Sequence, residues 1–242
     1  DLHTYFFTDQ GVVKAVNGVS FNVPQNSTVG IVGESGCGKT TTLNLVLGFN
    51  FSTAGELLID GINIRDIDLH SYRSHIAIVP QNSVLFTGTI RENITYGIEN
   101  ATDEQIEKAI EAAQLKSFID TLPNGINTVL TEHGANLSGG QRQRVLISRA
   151  VAARPEILIL DDSSSALDYK TDANLRLALQ QNIPDATVIT VAQRVSSVKN
   201  CDLILVIENG AIIGYGKHDD LMRNCAEYKE ISESQMGGAF LD

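Results

Sequence analysis

The chain has 242 residues, and a prior of about 150 residues per domain places it at one large domain or a core with a substantial insertion. A composition of 43% hydrophobic and 19% charged residues with 20 Gly excludes a fibrous or disordered chain, and a chain of this mass buries roughly 70% of its unfolded surface. The formal net charge of −11 excludes a diffuse nucleic-acid-binding face, which needs clustered Lys and Arg, but leaves room for an anion site built from backbone amides.

In chain order, Leu2 to Val23 is rich in aromatic and β-branched residues and reads as strands separated by a turn at Asp9-Gln10-Gly11. Val29-Gly30-Ile31-Val32 is a short apolar strand feeding a glycine-rich stretch, and the helix after it carries Leu43, Val46 and Leu47 on one face. Glu56 to Ile64 reads as a hairpin turning at Asp60-Gly61. Ile76 to Val79 is a buried strand ending at Pro80. From about Thr89 to Val151 the pattern becomes mostly helical. Thr89-x-x-Glu92 and Thr102-x-x-Gln105 both read as capping boxes, and Ile106, Ala109, Ile110 and Ala113 keep helical spacing. Ile157 to Leu160, Ala186 to Val191 and Leu203 to Ile207 repeat the apolar texture of buried strands. Strands alternating with helices imply an α/β fold with a mainly parallel sheet and a helical insertion between residues ~88 and ~152.

Three cysteines, Cys37, Cys201 and Cys225, are too scattered for a disulfide framework and point to a reducing compartment. No apolar run approaches the ~18 residues of a membrane span and no signal-peptide pattern opens the chain, so direct membrane insertion is not expected. The chain opens on Asp1 rather than Met, as an excised or processed domain would.

Gly33-Glu34-Ser35-Gly36-Cys37-Gly38-Lys39-Thr40 satisfies G-x-x-x-x-G-K-[ST] between a strand and a helix, where a phosphate-binding loop must sit. Its glycines let consecutive amides turn onto phosphates at the positive end of the helix dipole. Lys39 would reach the β and γ phosphates, the Thr40 hydroxyl would ligate Mg²⁺, and Thr41, next on the helix, would also contact the nucleotide. Cys37 reads as a small filler with no redox role. Ile157 to Asp161 supplies the second half, an apolar strand that delivers the Asp161 carboxylate to the Mg²⁺ shell. Leu137-Ser138-Gly139-Gly140-Gln141 then narrows the choice among P-loop proteins. Ser138 caps a helix, Gln141 closes the box, and two glycines leave amides bare for a second anion contact.

With these motifs in order, the chain resembles the nucleotide-binding domain of ABC transporters over nearly its whole length: the P-loop, Gln81 in Val79-Pro80-Gln81, the signature at Leu137 to Gln141, the Walker B strand ending at Asp161, and Ser165-Ala166-Leu167-Asp168. The resemblance implies a P-loop NTPase (RecA-like) core with an antiparallel β subdomain over residues 1–87 and 153–242, and an α-helical signature subdomain over 88–152. It implies ATP and Mg²⁺ as cofactors and a head-to-tail dimer with a second nucleotide-binding domain. Each site of that dimer takes the P-loop from one chain and the signature from the other. It further implies a transmembrane partner, a place at the cytoplasmic face of a membrane, and no nucleic-acid partner. Tyr5 is the candidate for stacking on adenine, with a core role as the alternative because Phe6 and Phe7 are adjacent. Gln81 would sense Mg²⁺ and the γ-phosphate.

Two residues depart from the family pattern. Asp162 stands where a catalytic Glu follows the Walker B Asp, and Gln193 in Val191-Ala192-Gln193-Arg194 stands where the switch loop has His. Asp is one methylene shorter, so its carboxylate stands back from the attacking water, and a displacement of ~1 Å can cost about 10²-fold. Gln cannot carry a positive charge, though it still donates a hydrogen bond. Together they imply a weakly hydrolytic site with an intact signature, the pattern of the degenerate-site subunit in heterodimeric ABC multidrug exporters. Thr131-Glu132-His133-Gly134 and the tail Tyr228 to Met236 also look exporter-like. The first forty or so residues, by contrast, look more like oligopeptide-importer ATPases. A composite of two subfamilies joined near the P-loop helix and natural drift both remain open. As to function, the transporter ATPase motor leads. An ATP-gated clamp with little turnover is the second reading, and a soluble DNA-repair or translation protein is disfavoured by the single domain, the short insertion and the charge.

Overall fold

Two antiparallel strands open the chain in the computed structural model, which describes residues 1–8 and 11–238 with side chains through Gln235; Asp9 and Gln10 of the expected first turn lie outside the described residues. The chain divides into two compact units, residues 1–74 together with 188–242, and residues 75–187.

In the first unit β1 (Leu2–Thr8) pairs with β2 (Gly11–Val19), Leu2 opposite Val19 and Thr8 opposite Gly11. Next come β3 (Thr28–Val32), the glycine-rich loop and α1 (Lys39–Val46). The expected hairpin is a short one, β4 (Leu58–Ile59) and β5 (Ile62–Asn63). Asp60 at φ 50 and Gly61 at φ 82 make its turn left-handed at both central positions, which matches the twist of the flanking strands. In α2 (Leu69–Ser74) the Tyr72 hydroxyl donates to Val46 O at 2.9 Å, and Arg73 donates to Leu47 O and Gly48 O, so the end of α1 is satisfied from outside. Burial pushes the Tyr72 phenol up to about 12, which keeps it a neutral donor.

The second unit begins with β6 (Ile76–Val79), β7 (Gly88–Thr89) and α3 (Ile90–Ile94), and continues through α4 (Asp103–Ala112), α5 (Lys116–Ile119) and β8 (Val129–Leu130). It then runs through α6 (Gly139–Ala152), β9 (Ile157–Asp161) and α7 (Tyr169–Asn182). Strands β6 and β9 are parallel, Ile76 opposite Ile157 and Val79 opposite Leu160. Helices α3 and α4 pack on α6, and α4 also packs on α7. The buried face of α4 is the expected one: Ile106, Ala109, Ile110 and, just past its end, Ala113.

The chain returns to the first unit through β10 (Thr187–Ala192), β11 (Leu203–Glu208), β12 (Ala211–Gly216), α8 (His218–Asn224) and α9 (Ala226–Gly238). Here β3 lies parallel to both β10 and β11, and β12 closes antiparallel on β11. A strand flanked by two parallel neighbours is buried on both faces, which is why Val29 to Val32 reads as a continuous apolar run. One core cluster gathers Val32, Ile204, Val206, Leu221 and Tyr228, and a second gathers Leu2, Val16, Val19 and Leu45. The architecture is α/β with parallel strands in both units and antiparallel pairs beside them, as the sequence implies.

Two local expectations are corrected. The buried side of α1 is Leu43 with Leu45, followed by Leu47, whereas Val46 is only half-buried, because the helix stops at Val46 and its last turn is not continued. The second capping box is half-formed. Thr102 accepts from the Gln105 amide, but the Gln105 side chain turns away and donates to Ala152 O, a tertiary partner the local pattern does not encode. The boxes at Thr89–Glu92 and Ser138–Gln141 close in both directions.

Candidate functional site

The phosphate-type loop hangs between β3 and α1. Gly38 sits at the head of α1 with φ 108, a backbone open to Gly, and a Cβ there would stand 2.2 Å from Ala15 O. A Cβ at Gly33 would stand 2.1 Å from Ile207 O, so this position is glycine because strand β11 comes too close for anything else. Glu34, Ser35 and Gly36 are exposed, and nothing lies within 4 Å of the place a Gly36 Cβ would take. The loop crown is thus open at Gly36 and stands at the head of α1, where the helix dipole suits a phosphate.

Lys39 is 8% exposed, and its ammonium folds back on its own loop, donating to Gly33 O at 2.7 Å and Glu34 O at 2.6 Å. Phosphate oxygens are stronger, charge-assisted partners for that ammonium than these carbonyls. Thr40 is exposed at the start of α1, and Thr41 is half-buried. Cys37 is buried, with its sulfur 3.6 Å from the Lys39 ammonium, and its carbonyl accepts from the Gly210 amide at 2.9 Å. That is consistent with filling rather than exposure.

The second unit carries the carboxylates and the signature. Asp161, 8% exposed, ends the apolar strand β9, and Asp162 follows it with φ 47. Gln81, exposed just past β6, donates through Nε2 to Asp162 Oδ2 at 3.3 Å. Ser138 is exposed at the head of α6. Its hydroxyl accepts from the Gln141 amide at 3.2 Å while Gln141 Oε1 accepts from the Ser138 amide at 2.8 Å. Gly139 and Gly140 are half-buried, and a Cβ on Gly140 would meet Leu167 at 3.3 Å and Ala166 O at 3.4 Å. The signature glycines therefore admit the segment Ser165 to Asp168 against α6. Asp168 in turn caps α7, accepting from the Thr171 amide at 2.9 Å and its hydroxyl at 2.7 Å, and these donors hold its carboxyl below the ordinary value.

Gln193 is exposed immediately after β10 in the first unit. Tyr5 is half-buried on β1, its hydroxyl donating to Asn17 Oδ1 at 2.7 Å, with the Lys14 ammonium 5.6 Å from its ring centre. Among the described residues no group of three or more His, Cys, Asp or Glu is arranged to hold a metal. A divalent ion here would take most of its ligands from phosphates and water, which is the habit of Mg²⁺. The open crown of the loop fits a nucleotide phosphate, and Asp161, at the end of β9 in the second unit, is a carboxylate of the kind Mg²⁺ takes.

A family model described as ABC transporter matches residues 16–165. The chain belongs to the ABC transporter family. A second model, a P-loop domain, matches residues 96–235. ABC transporter B family member 21 of Arabidopsis thaliana is 45% identical over 207 residues, which are 86% of this chain and 16% of that protein. The ATP-dependent lipid A-core flippase of Desulfotalea psychrophila is 42% identical over 235 residues, 97% of this chain and 41% of the flippase. The solved structure of a bacterial Atm1-family ABC exporter with ATP bound aligns with a TM-score of 0.90 at 36% identity, covering 97% of this chain and 41% of that one. The chain spans less than half the length of these relatives. It is an ABC-type ATPase domain with the α/β P-loop fold of that family. No helix among the described residues is long and apolar enough to cross a membrane.

Several contributors escaped the sequence. The Asp168 cap was visible in Asp168-x-x-Thr171, a local signal. The Gln81–Asp162 contact and the side chain of Gln235, which reaches the loop of Gln193, carried no local signal at all.

Proposed function

We propose that this ABC domain binds MgATP at its own P-loop, pairs head-to-tail with a second nucleotide-binding domain, and drives transport by a membrane subunit while hydrolysing slowly at its own site. In this reading the amides from Gly33 to Thr41 and the Lys39 ammonium hold the phosphates, Thr40, Gln81 and Asp161 hold Mg²⁺, and Tyr5 stacks on adenine. Ser138 to Gln141 contact the nucleotide of the partner. Mg²⁺ supplies charge neutralisation on the phosphates. Asp162 positions the attacking water, and Gln193 donates to the γ-phosphate. Residues 88–152 form the helical arm that presents the signature. The relative named as an exporter supports outward movement of cargo, and a seat at the cytoplasmic face of a membrane belongs to the same proposal.

The observation that carries the slow-site reading is Asp162 itself: a short carboxylate that accepts from Gln81 at 3.3 Å. A one-methylene deficit at the base position costs reach toward the attacking water. The clamp reading, with ATP-gated pairing and little turnover, is favoured by the same pair, Asp162 and Gln193. Both are tested by measuring ATP affinity beside single-turnover hydrolysis, with and without a partner domain carrying Glu and His at these positions. Tight binding with turnover that rises at least tenfold on adding the partner supports the motor; tight binding with flat turnover supports the clamp. Fast turnover by the chain alone, abolished by Asp162→Ala, overturns both.

A further inference from the structure

Gln235, on α9, makes two hydrogen bonds to the backbone that follows β10. Its Nε2 donates to Gln193 O at 2.8 Å, and its Oε1 accepts from the Val195 amide at 2.9 Å. These contacts bracket Arg194, which heads the single 3₁₀ turn Val195–Ser197 and supplies no side-chain cap to it. The Val195 amide is one of the donors that a helix start leaves unpaired, and Gln235 takes it from a helix remote in sequence. Capping alone needs only the oxygen of Gln235. The donation to the Gln193 carbonyl is a second bond with a different consequence.

Strand β10 is buried throughout and Val195 is buried as well, so the backbone is held on both sides of the exposed Gln193. The Gln235 amide holds the peptide plane between Gln193 and Arg194 through its oxygen. We propose that Gln235 is a positioning residue for the ATPase reaction: by holding Gln193 O and Val195 N together it sets the direction in which the Gln193 side chain leaves the backbone. The primary amide of Gln235 carries a neutral acceptor and a neutral donor on one carbon, which lets it take the Val195 amide and reach the Gln193 carbonyl at once. The inference rests on the reading of Gln193 as a γ-phosphate donor. It makes α9 a brace for the switch loop.

The test measures kcat and KM for ATP on the full chain, both natural and with Asp162→Glu and Gln193→His combined. That pair leaves the backbone bonds of residue 193 in place. A double variant no faster than the natural chain overturns the slow-site reading, and the Gln235 comparison is then still read on natural single turnover. Within each background Gln235→Ala should lower kcat about 10-fold with KM unchanged at temperatures well below its thermal midpoint, which the two lost hydrogen bonds should lower modestly, since misplacing a reacting group by a fraction of an ångström costs rate before affinity. Gln235→Glu keeps the acceptor for Val195 and loses the donor to Gln193. It should therefore protect the Val195 amide from hydrogen exchange while losing as much kcat as Gln235→Ala. An unchanged kcat in Gln235→Ala, full kcat in Gln235→Glu, or a fall in kcat that disappears at temperatures well below the thermal midpoint overturns the proposal.

Discussion

Gln81 Nε2 donates to Asp162 Oδ2 across 3.3 Å, and Asp162 holds that pose with φ 47, in the left-handed region that Asp and Asn tolerate and β-branched residues do not. Asp162→Asn keeps both the conformation and an acceptor for Gln81. It should leave the thermal midpoint and ATP affinity unchanged while own-site single turnover falls at least about tenfold, less than the roughly 10²–10⁴-fold of a well-placed general base because the shorter Asp162 stands back from the water. Asp162→Val should instead cost about 1–2 kcal/mol of stability from the strained backbone. Thermal melts run beside single-turnover assays separate the two; an Asp162→Asn chain that turns over at the natural rate removes Asp162 from the reaction.

The loop itself makes a sharper mutational contrast. A methyl at Gly38 would stand 2.2 Å from Ala15 O, on a residue already at φ 108, so Gly38→Ala must push the loop off β2. Strain of this kind costs about 1–3 kcal/mol, and the displaced amides should abolish ATP binding. Lys39→Ala removes the ammonium that spans Gly33 O and Glu34 O but leaves the backbone free to keep its course. Its ATP affinity should fall at least tenfold with a smaller loss of thermal midpoint than Gly38→Ala. Titration with ATP and a melt on each variant check this, and retained affinity in Gly38→Ala would refute the amide cradle.

Much of this local structure is legible in the sequence because its signals are local. The P-loop, the Asp60-Gly61 turn and the boxes at Thr89 and Ser138 each encode their geometry within a few residues, so spacing and chemistry suffice. What the sequence hid are contacts whose partners lie far along the chain. Gln105 was expected to close its own box, yet its side chain goes to Ala152 O; Gln235 reaches Gln193, and Arg149 reaches Asn93. A side-chain amide or guanidinium satisfies whichever backbone group the fold brings near, and no pattern of neighbours records that choice. The shift of the α1 face from Val46 to Leu45 has the same origin, since packing beyond the helix end decides it.

Acid stability should follow the carboxylates that accept from backbone amides. Asp202 Oδ2 accepts from the Thr28 amide at 2.8 Å and its hydroxyl at 2.7 Å, and these two donors hold its carboxyl below the ordinary Asp value. A depressed folded pKa gives stability that is fully present above the unfolded value of about 3.9 and is lost as pH falls through the lower folded value. Asp202→Asn should therefore reduce stability at pH 7 by about 0.5–1 kcal/mol, a modest sum because solvent screens this site. It should also make unfolding less steep in pH below 4. Equal acid limbs for the two chains would show that Asp202 is not a linked group.

Asn93 is 1% exposed and uses every hydrogen-bonding position of its amide: Nδ2 donates to Phe86 O at 2.9 Å and Thr89 O at 3.0 Å, while Oδ1 accepts from the Phe86 amide at 2.9 Å and from Arg149 at 2.8 Å. Arg149 adds bonds to Asn93 O and Val84 O, and its guanidinium lies 5.0 Å from the Phe86 ring centre. The two side chains thereby fasten the segment after Gln81 to α3 and α6. Asn93→Ala should cost about 2–4 kcal/mol, because it strands the Phe86 amide and carbonyl in a buried network rather than deleting one bond. Arg149→Lys should also destabilise, since an ammonium cannot reproduce the planar fork across three oxygens. Residues in one network couple, so the double variant should lose less than the sum of the singles by at least about 1 kcal/mol. Denaturant unfolding of the four chains measures that coupling, and strict additivity would mean that Asn93 and Arg149 act independently.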